Sequence, residues 1–133
     1  MKVLLLNIFI LLALIGCDYV DDRLVISNTS KKPIAVAFSN DTIPSVIGKA
    51  EYYIETALRP NETRHFSMPG SIDAWPLFAE TGNFNKLKIY YYDIDTLKKY
   101  SDMVYINSNK LFLKLDEYTK TDLETMNWVM KYP

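Results

Sequence analysis

Residues able to do chemistry are sparse in this chain, which holds one cysteine, Cys17, and one histidine, His65. A zinc site draws three or four ligands from cysteine, histidine and carboxylate. No second histidine or cysteine exists to join either residue, so no metal site is expected. His65 alternates with Thr63 and Ser67, which places all three on one face of a strand, at the surface or rim. No Gly-x-Ser-x-Gly elbow accompanies it, and the four glycines do not cluster into a phosphate-cradling loop, so no cofactor is expected. The acids Asp93 and Asp95 flank Ile94 and could face one way at a strand end, to bind a cation or to serve as acid and base. Their simpler role is turn formation and helix capping. Tyr52-Tyr53 and Tyr90-Tyr91-Tyr92 offer aromatic faces to a sugar or a peptide, although in a strand half of each run turns inward to the core. No catalytic residue is assigned. The chain reads as a non-catalytic binding or accessory module for a protein or glycan ligand. A small hydrolase working through Asp93 and Asp95 is the alternative, and an inhibitor or immunity-type protein with a protruding Asn40–Ala50 loop is a third reading.

Cys17 occupies a special place. Met1-Lys2 opens the chain, an apolar run follows from Val3, and Leu14-Ile15-Gly16-Cys17 closes it. A charged start, an apolar core and a small residue at the end form the pattern of a secretory signal peptide. Val3 to Gly16 is 14 residues with Asn7 inside, short of the about 20 that a spanning helix needs. Leu14-Ile15-Gly16-Cys17 resembles the lipobox of bacterial lipoproteins. That resemblance implies cleavage between Gly16 and Cys17, a diacylglycerol on the Cys17 thiol, and a membrane partner held through acyl chains. Two or more chains give stable anchoring where one does not. It also leaves no thiol for a disulfide or a nucleophile.

Removal of residues 1–16 takes away Lys2 and no acid, so the net charge of −1 becomes −2. Such a balance excludes the basic field that recruits nucleic acid. The remaining residues, 17–133, are enough for one domain. Residues 17–23, with Asp18, Asp21 and Asp22, read as a lipidated cysteine and acidic tether, and 24–133 as a single globular domain. The acids resemble the export signal that follows the lipidated cysteine in surface lipoproteins of Bacteroidota. In enterobacteria an aspartate directly after the cysteine favours retention at the inner membrane, and a solvated linker is the plain alternative. Export and lipid anchoring are expected, at the outer membrane or the cell surface.

The elements that must position these residues are mostly strands. Leu24–Ser27 and Ile34–Ser39 read as an antiparallel hairpin across Asn28-Thr29-Ser30-Lys31-Lys32. Tyr52–Leu58 and Thr63–Met68 read as a second strand pair, turned at Arg59-Pro60-Asn61-Glu62. Asp73 is placed to cap a short helix holding Trp75, Leu77 and Phe78, with Pro76 in its first turn. Lys86–Asp93 is the clearest strand, with Leu87, Ile89 and Tyr91 on one face. Asp95 is placed to cap a helix with Leu97, Tyr100 and Val104 at helical spacing. Leu111, Leu113 and Leu115 alternate as another strand. Thr119 and Asp122 have nearly the spacing of a capping box ahead of Leu123 and Met126, and Trp128, Met130 and Tyr132 share a face of a last strand. The expected fold is mainly β, an antiparallel sandwich-like domain with two or three short helices; α+β with helices on one sheet face is the alternative.

Asn28-Thr29-Ser30 with Pro33-Ile34, Ser39–Pro44, Tyr92–Leu97 and the ending Thr121–Pro133 together resemble a family of small lipoproteins of Bacteroidota. The resemblance implies location and lineage and adds no reaction. Asp41-Thr42-Ile43 and Asp95-Thr96-Leu97 also resemble the Asp-Ser/Thr-aliphatic pattern that Bacteroidota glycosylate on exported proteins, which makes Thr42 and Thr96 candidate O-glycosylation sites, each of which modification requires to be exposed. Asp-Thr is equally common at turns and helix starts.

Overall fold

Every side chain from Leu87 to Tyr92 is buried. Alternation sends Leu87, Ile89 and Tyr91 to one side and Tyr90 and Tyr92 to the other, and each side meets a separate core. A strand covered on both faces belongs in the middle of a middle layer, and the molecule is built around that position. The computed structural model describes residues 19–41 and 49–133; Gly16, Cys17 and Thr42 lie outside them.

One sheet holds β1 (Val20–Asn28), β3 (Thr63–Pro69) and β6 (Val129–Tyr132) in the order β3-β1-β6. β1 runs antiparallel to β3 and parallel to β6. The second sheet holds β2 (Ile34–Ser39), β4 (Leu87–Asp93) and β5 (Lys114–Tyr118), antiparallel throughout in the order β2-β4-β5. Leu24, Ile26 and Met130 from the first sheet meet Ile34, Ile89 and Tyr91 from the second, with Trp75 and Leu123 closing the cluster. Each fully buried large apolar side chain of this kind contributes about 1.5–3 kcal/mol. On the far face of the second sheet, Ala35, Ala37, Tyr90 and Tyr92 lie under α1 (Ala50–Glu55), α3 (Ile94–Tyr100) and α4 (Met103–Ser108). The fold is an open, β-rich sandwich with a helical layer on one sheet. It joins the expected sandwich to its alternative, and the described residues form five helices rather than two or three.

β1 and β2 do not form the expected hairpin; they belong to different sheets. The reason lies in β2, where Ile34, Val36 and Phe38 face the sandwich interior while Ala35 and Ala37 pack under helices. With no polar face, β2 fits only the central layer. Asn28 makes the crossing. Fully buried, it gives its amide to the carbonyls of Lys32, Leu58 and Arg59 at 2.8, 3.1 and 3.2 Å, and its Oδ1 accepts from the Ser30 N–H at 3.0 Å.

Tyr52–Leu58 is not a strand. Ala50 and Tyr53, three apart, bury one stripe of α1 while Glu51, Tyr52 and Glu55 face water. Only Leu58 pairs, in a single bridge to Ile34. The Leu97–Val104 segment is two helices, broken at Ser101, whose φ is 48°. The strand expected at Leu111–Leu115 begins at Lys114, and Leu113 is exposed. Thr119 and Asp122 do form a reciprocal capping box on α5 (Lys120–Thr125).

β1 also starts earlier than Leu24. Asp21 is 4 % exposed, and a register irregularity between Asp21 and Leu24 lets both face inward although they are three apart. Asp21 accepts from the Arg23 guanidinium at 2.8 Å and from the Trp75 backbone N–H at 3.0 Å. Trp75 is the second residue of α2 (Ala74–Thr81), so Asp21 supplies from β1 the capping contact expected of Asp73. Asp73 instead pairs with Arg23 at 2.8 Å. Past α2, Gly82 lies so close to β2's end that a Cβ would stand 1.7 Å from the Asn40 carbonyl oxygen.

Candidate functional site

Both edges of the sandwich on the β2–β3 side are uncovered by any further strand among the described residues. β3 shows the consequence: Arg64, Phe66 and Met68 point inward yet stay half-buried, and the same holds for Val36 and Phe38 of β2. Between the two edges runs an open groove of about 720 Å³, walled by Val36, Phe38, Phe66, Met68 and Phe78, with Tyr52 of α1 at its side. The aromatic walls are fixed by packing. Phe38 meets Phe66 and Trp75 edge-on, each at 5.0 Å between ring centroids, and the Trp75 indole N–H donates to the Phe66 carbonyl at 2.8 Å.

One end of the groove is closed by Arg64. Its guanidinium donates to the Thr56 and Ala57 carbonyls and to Glu62, at 2.5, 3.2 and 2.5 Å. Glu62 also accepts from the Arg59 backbone N–H at 2.8 Å. That N–H, followed by the Arg64 charge, holds the Glu62 carboxyl below its usual range. The rim is a closed ion-paired network, and the walls between are apolar. Thr56, His65 and Ser67 add polar groups to this mostly apolar lining.

The backbone adds a second element. The Ile34 N–H and C=O exchange bonds with Leu58 at 3.0 and 2.8 Å on the side away from β4. By alternation Val36 and Phe38 present their own N–H and C=O to that side, and among the described residues no strand takes them.

Of the residues singled out in the sequence, Tyr52, Tyr53 and His65 line the groove, and the others are dispersed. His65 is exposed on the outer face of the first sheet, its Nδ1 3.0 Å from the Asp22 carbonyl oxygen. Asp93 is consumed as the cap of α3, accepting from the Thr96 N–H at 3.1 Å, while Asp95 sits exposed in that helix's first turn. The cap expected of Asp95 thus belongs to Asp93, whose extended backbone suits that position. Thr96 is half-buried, with its hydroxyl 3.4 Å from the same Asp93 carboxylate. Tyr90, Tyr91 and Tyr92 form no platform, since all three are buried; of the tyrosine runs only Tyr52 is open to solvent at the groove. Burial pushes the Tyr91 and Tyr92 hydroxyls well above their ordinary value of 10.0. The loop Asn40–Ala50 lies largely outside the described residues.

Among the described residues no group of three His, Cys, Asp or Glu stands together as a metal site, and no helix is long and apolar enough to cross a membrane. Comparison of the chain with protein-family models, curated proteins and solved structures found no match. The groove itself was not legible in the sequence. Phe38, Phe66 and Met68 fall there within expected strands, and only the strand order turns them into facing edges.

Proposed function

We propose that this is a lipid-anchored protein of the cell envelope, exported and held by acyl chains on Cys17, whose domain binds an extended segment of a partner polypeptide in the β2–β3 groove. The observation that carries the reading is the groove, because it joins apolar walls to a strand edge that is unpaired among the described residues. Leu58 starts a neighbour for β2 at Ile34 and stops after one pair. A peptide laid beside Val36 and Phe38 continues that ladder, its main chain bonding to β2 and its alternate side chains entering between Phe38, Phe66 and Met68. A small apolar molecule fills the cavity but leaves the backbone edge unmet. Outer-membrane or surface placement rests on the resemblance of the acids after Cys17 to an export signal, of which Asp21 is taken up by the fold.

The test is photocrosslinking in cells, with a photoreactive residue at Phe66 or at Met68 and a control at Lys31. The reading predicts adducts from both groove positions to one polypeptide, at sites offset by an even number of residues, and none from Lys31. Adducts to lipid or small molecules alone, or no adduct from either groove position, overturn it.

A further inference from the structure

The anchor and the fold leave almost no slack between them. Cys17 precedes Tyr19 by two residues, a span of at most about 7 Å when fully extended. Tyr19 is already tied to the domain, because its carbonyl accepts from the Gly70 N–H at 3.0 Å, and Val20 is paired opposite Pro69. Acyl chains on Cys17 therefore emerge beside one defined end of the sandwich.

That end is apolar on its outside. Tyr19 is 59 %, Val20 48 % and Ile72 64 % exposed, and Pro69 is exposed beside them. Ile72 belongs to the same end, since its carbonyl accepts from the Arg23 guanidinium of β1. The charges nearby do not make a cationic patch: Lys120, which stands with Arg23 and Asp73, is paired with Glu80 at 3.1 Å. Arg23 is matched by Asp21 and Asp73, Asp22 is exposed, and no lysine occurs between Tyr19 and Ser30 or between His65 and Glu80. The lysines Lys31 and Lys32 are exposed at the opposite end of β1, about 27 Å away along a nine-residue strand.

We propose that the end formed by Tyr19, Val20, Pro69 and Ile72 rests on the bilayer surface, with Tyr19 and Ile72 in the interfacial layer. The proposal rests on the lipid anchor at Cys17. A tyrosine ring with an apolar body and a polar tip suits the headgroup boundary, and the missing cationic patch means that seating needs no anionic lipid. The domain stands with β1 rising from the membrane, so the β2–β3 groove opens sideways along β3.

The experiment uses the lipidated protein reconstituted in phosphatidylethanolamine–phosphatidylcholine vesicles, with an environment-sensitive fluorophore on Ile72→Cys, on Ser71→Cys or on Lys31→Cys. Acylation blocks the Cys17 thiol, so each probe has one site. Emission shifted to the blue and quenched several-fold more by brominated acyl chains at positions 71 and 72 than at 31, with no dependence on added phosphatidylglycerol, supports the seating. A protein that floats with the vesicles while positions 71 and 72 emit and quench like position 31 overturns the seating and leaves the anchor standing. A protein that does not float overturns both.

Discussion

The Asp21 carboxylate and the Trp75 backbone N–H meet at 3.0 Å, across 54 positions of sequence. The contact fastens the start of α2 to the start of β1. Helix starts leave backbone N–H groups without partners, and here a neighbouring strand meets one of them. Removing the carboxylate strands a buried amide and half of the Arg23 pairing. Asp21→Ala should therefore cost about 2–3 kcal/mol of stability. Asp73→Ala, which loses an exposed ion pair, should cost under about 1 kcal/mol. Urea titration of the mature chain carrying Cys17→Ser measures both, and equal costs would contradict the assignment of the cap to Asp21.

Asn28 tests the crossing between sheets. Its amide faces three carbonyls, and its oxygen faces the Ser30 N–H and hydroxyl. Asn28→Ala should cost about 2–4 kcal/mol, since several buried groups lose their partner at once. Asn28→Asp should be worse, because a carboxylate then confronts those carbonyls. Denaturation midpoints read the order, and an Asp variant as stable as wild type would contradict the network.

Two adjacent tyrosines should respond differently to loss of the hydroxyl. Tyr92 donates to Asn107 Oδ1 at 2.6 Å, whereas the buried Tyr91 hydroxyl makes no well-formed hydrogen bond among the described residues and has only the Asp116 carboxylate beside it. Tyr92→Phe should cost about 1 kcal/mol, and Tyr91→Phe should be neutral or stabilising. The reverse order in thermal or chemical denaturation would refute this.

Stability should fall at both pH extremes, for separate reasons. The Tyr91 and Tyr92 hydroxyls are raised above 10.0 in the fold, chiefly by burial. Their contribution is fully present below the unfolded value near pH 10 and is lost as pH rises from there toward the folded values. Unfolding should coincide with tyrosinate absorbance. Asp122 is lowered by the Thr119 hydroxyl and N–H, and Glu62 by the Arg59 N–H. Their contribution is present above the unfolded values near pH 4 and is lost as pH falls through the folded ones. Thr119→Ala should cost about 1 kcal/mol at neutral pH and flatten the acid limb.

Local features were legible in the sequence. Thr119 and Asp122 make their box within one turn of chain, and the alternation of Lys86–Asp93 marks its strand without outside help. Features decided at a distance were not. Tyr52–Leu58 alternates well enough for a strand, but Ala50 and Tyr53 gain more burial on one helical stripe under the second sheet. Asp21 looked like part of a solvated tether because its burial depends on the bulge in β1 and on Trp75. The groove depends on which strands end as edges, a property of strand order that no window of sequence contains.

Both the proposed envelope role and the membrane seating depend on the proposed anchor at Cys17. Mass spectrometry of the amino-terminal peptide, from protein extracted out of its native membrane, tests it most directly. The account predicts a peptide beginning at Cys17 and carrying the mass of a diacylglyceryl group, lost in Cys17→Ala. A peptide that retains residues before Cys17, or an unmodified Cys17 in membrane-held protein, would contradict it.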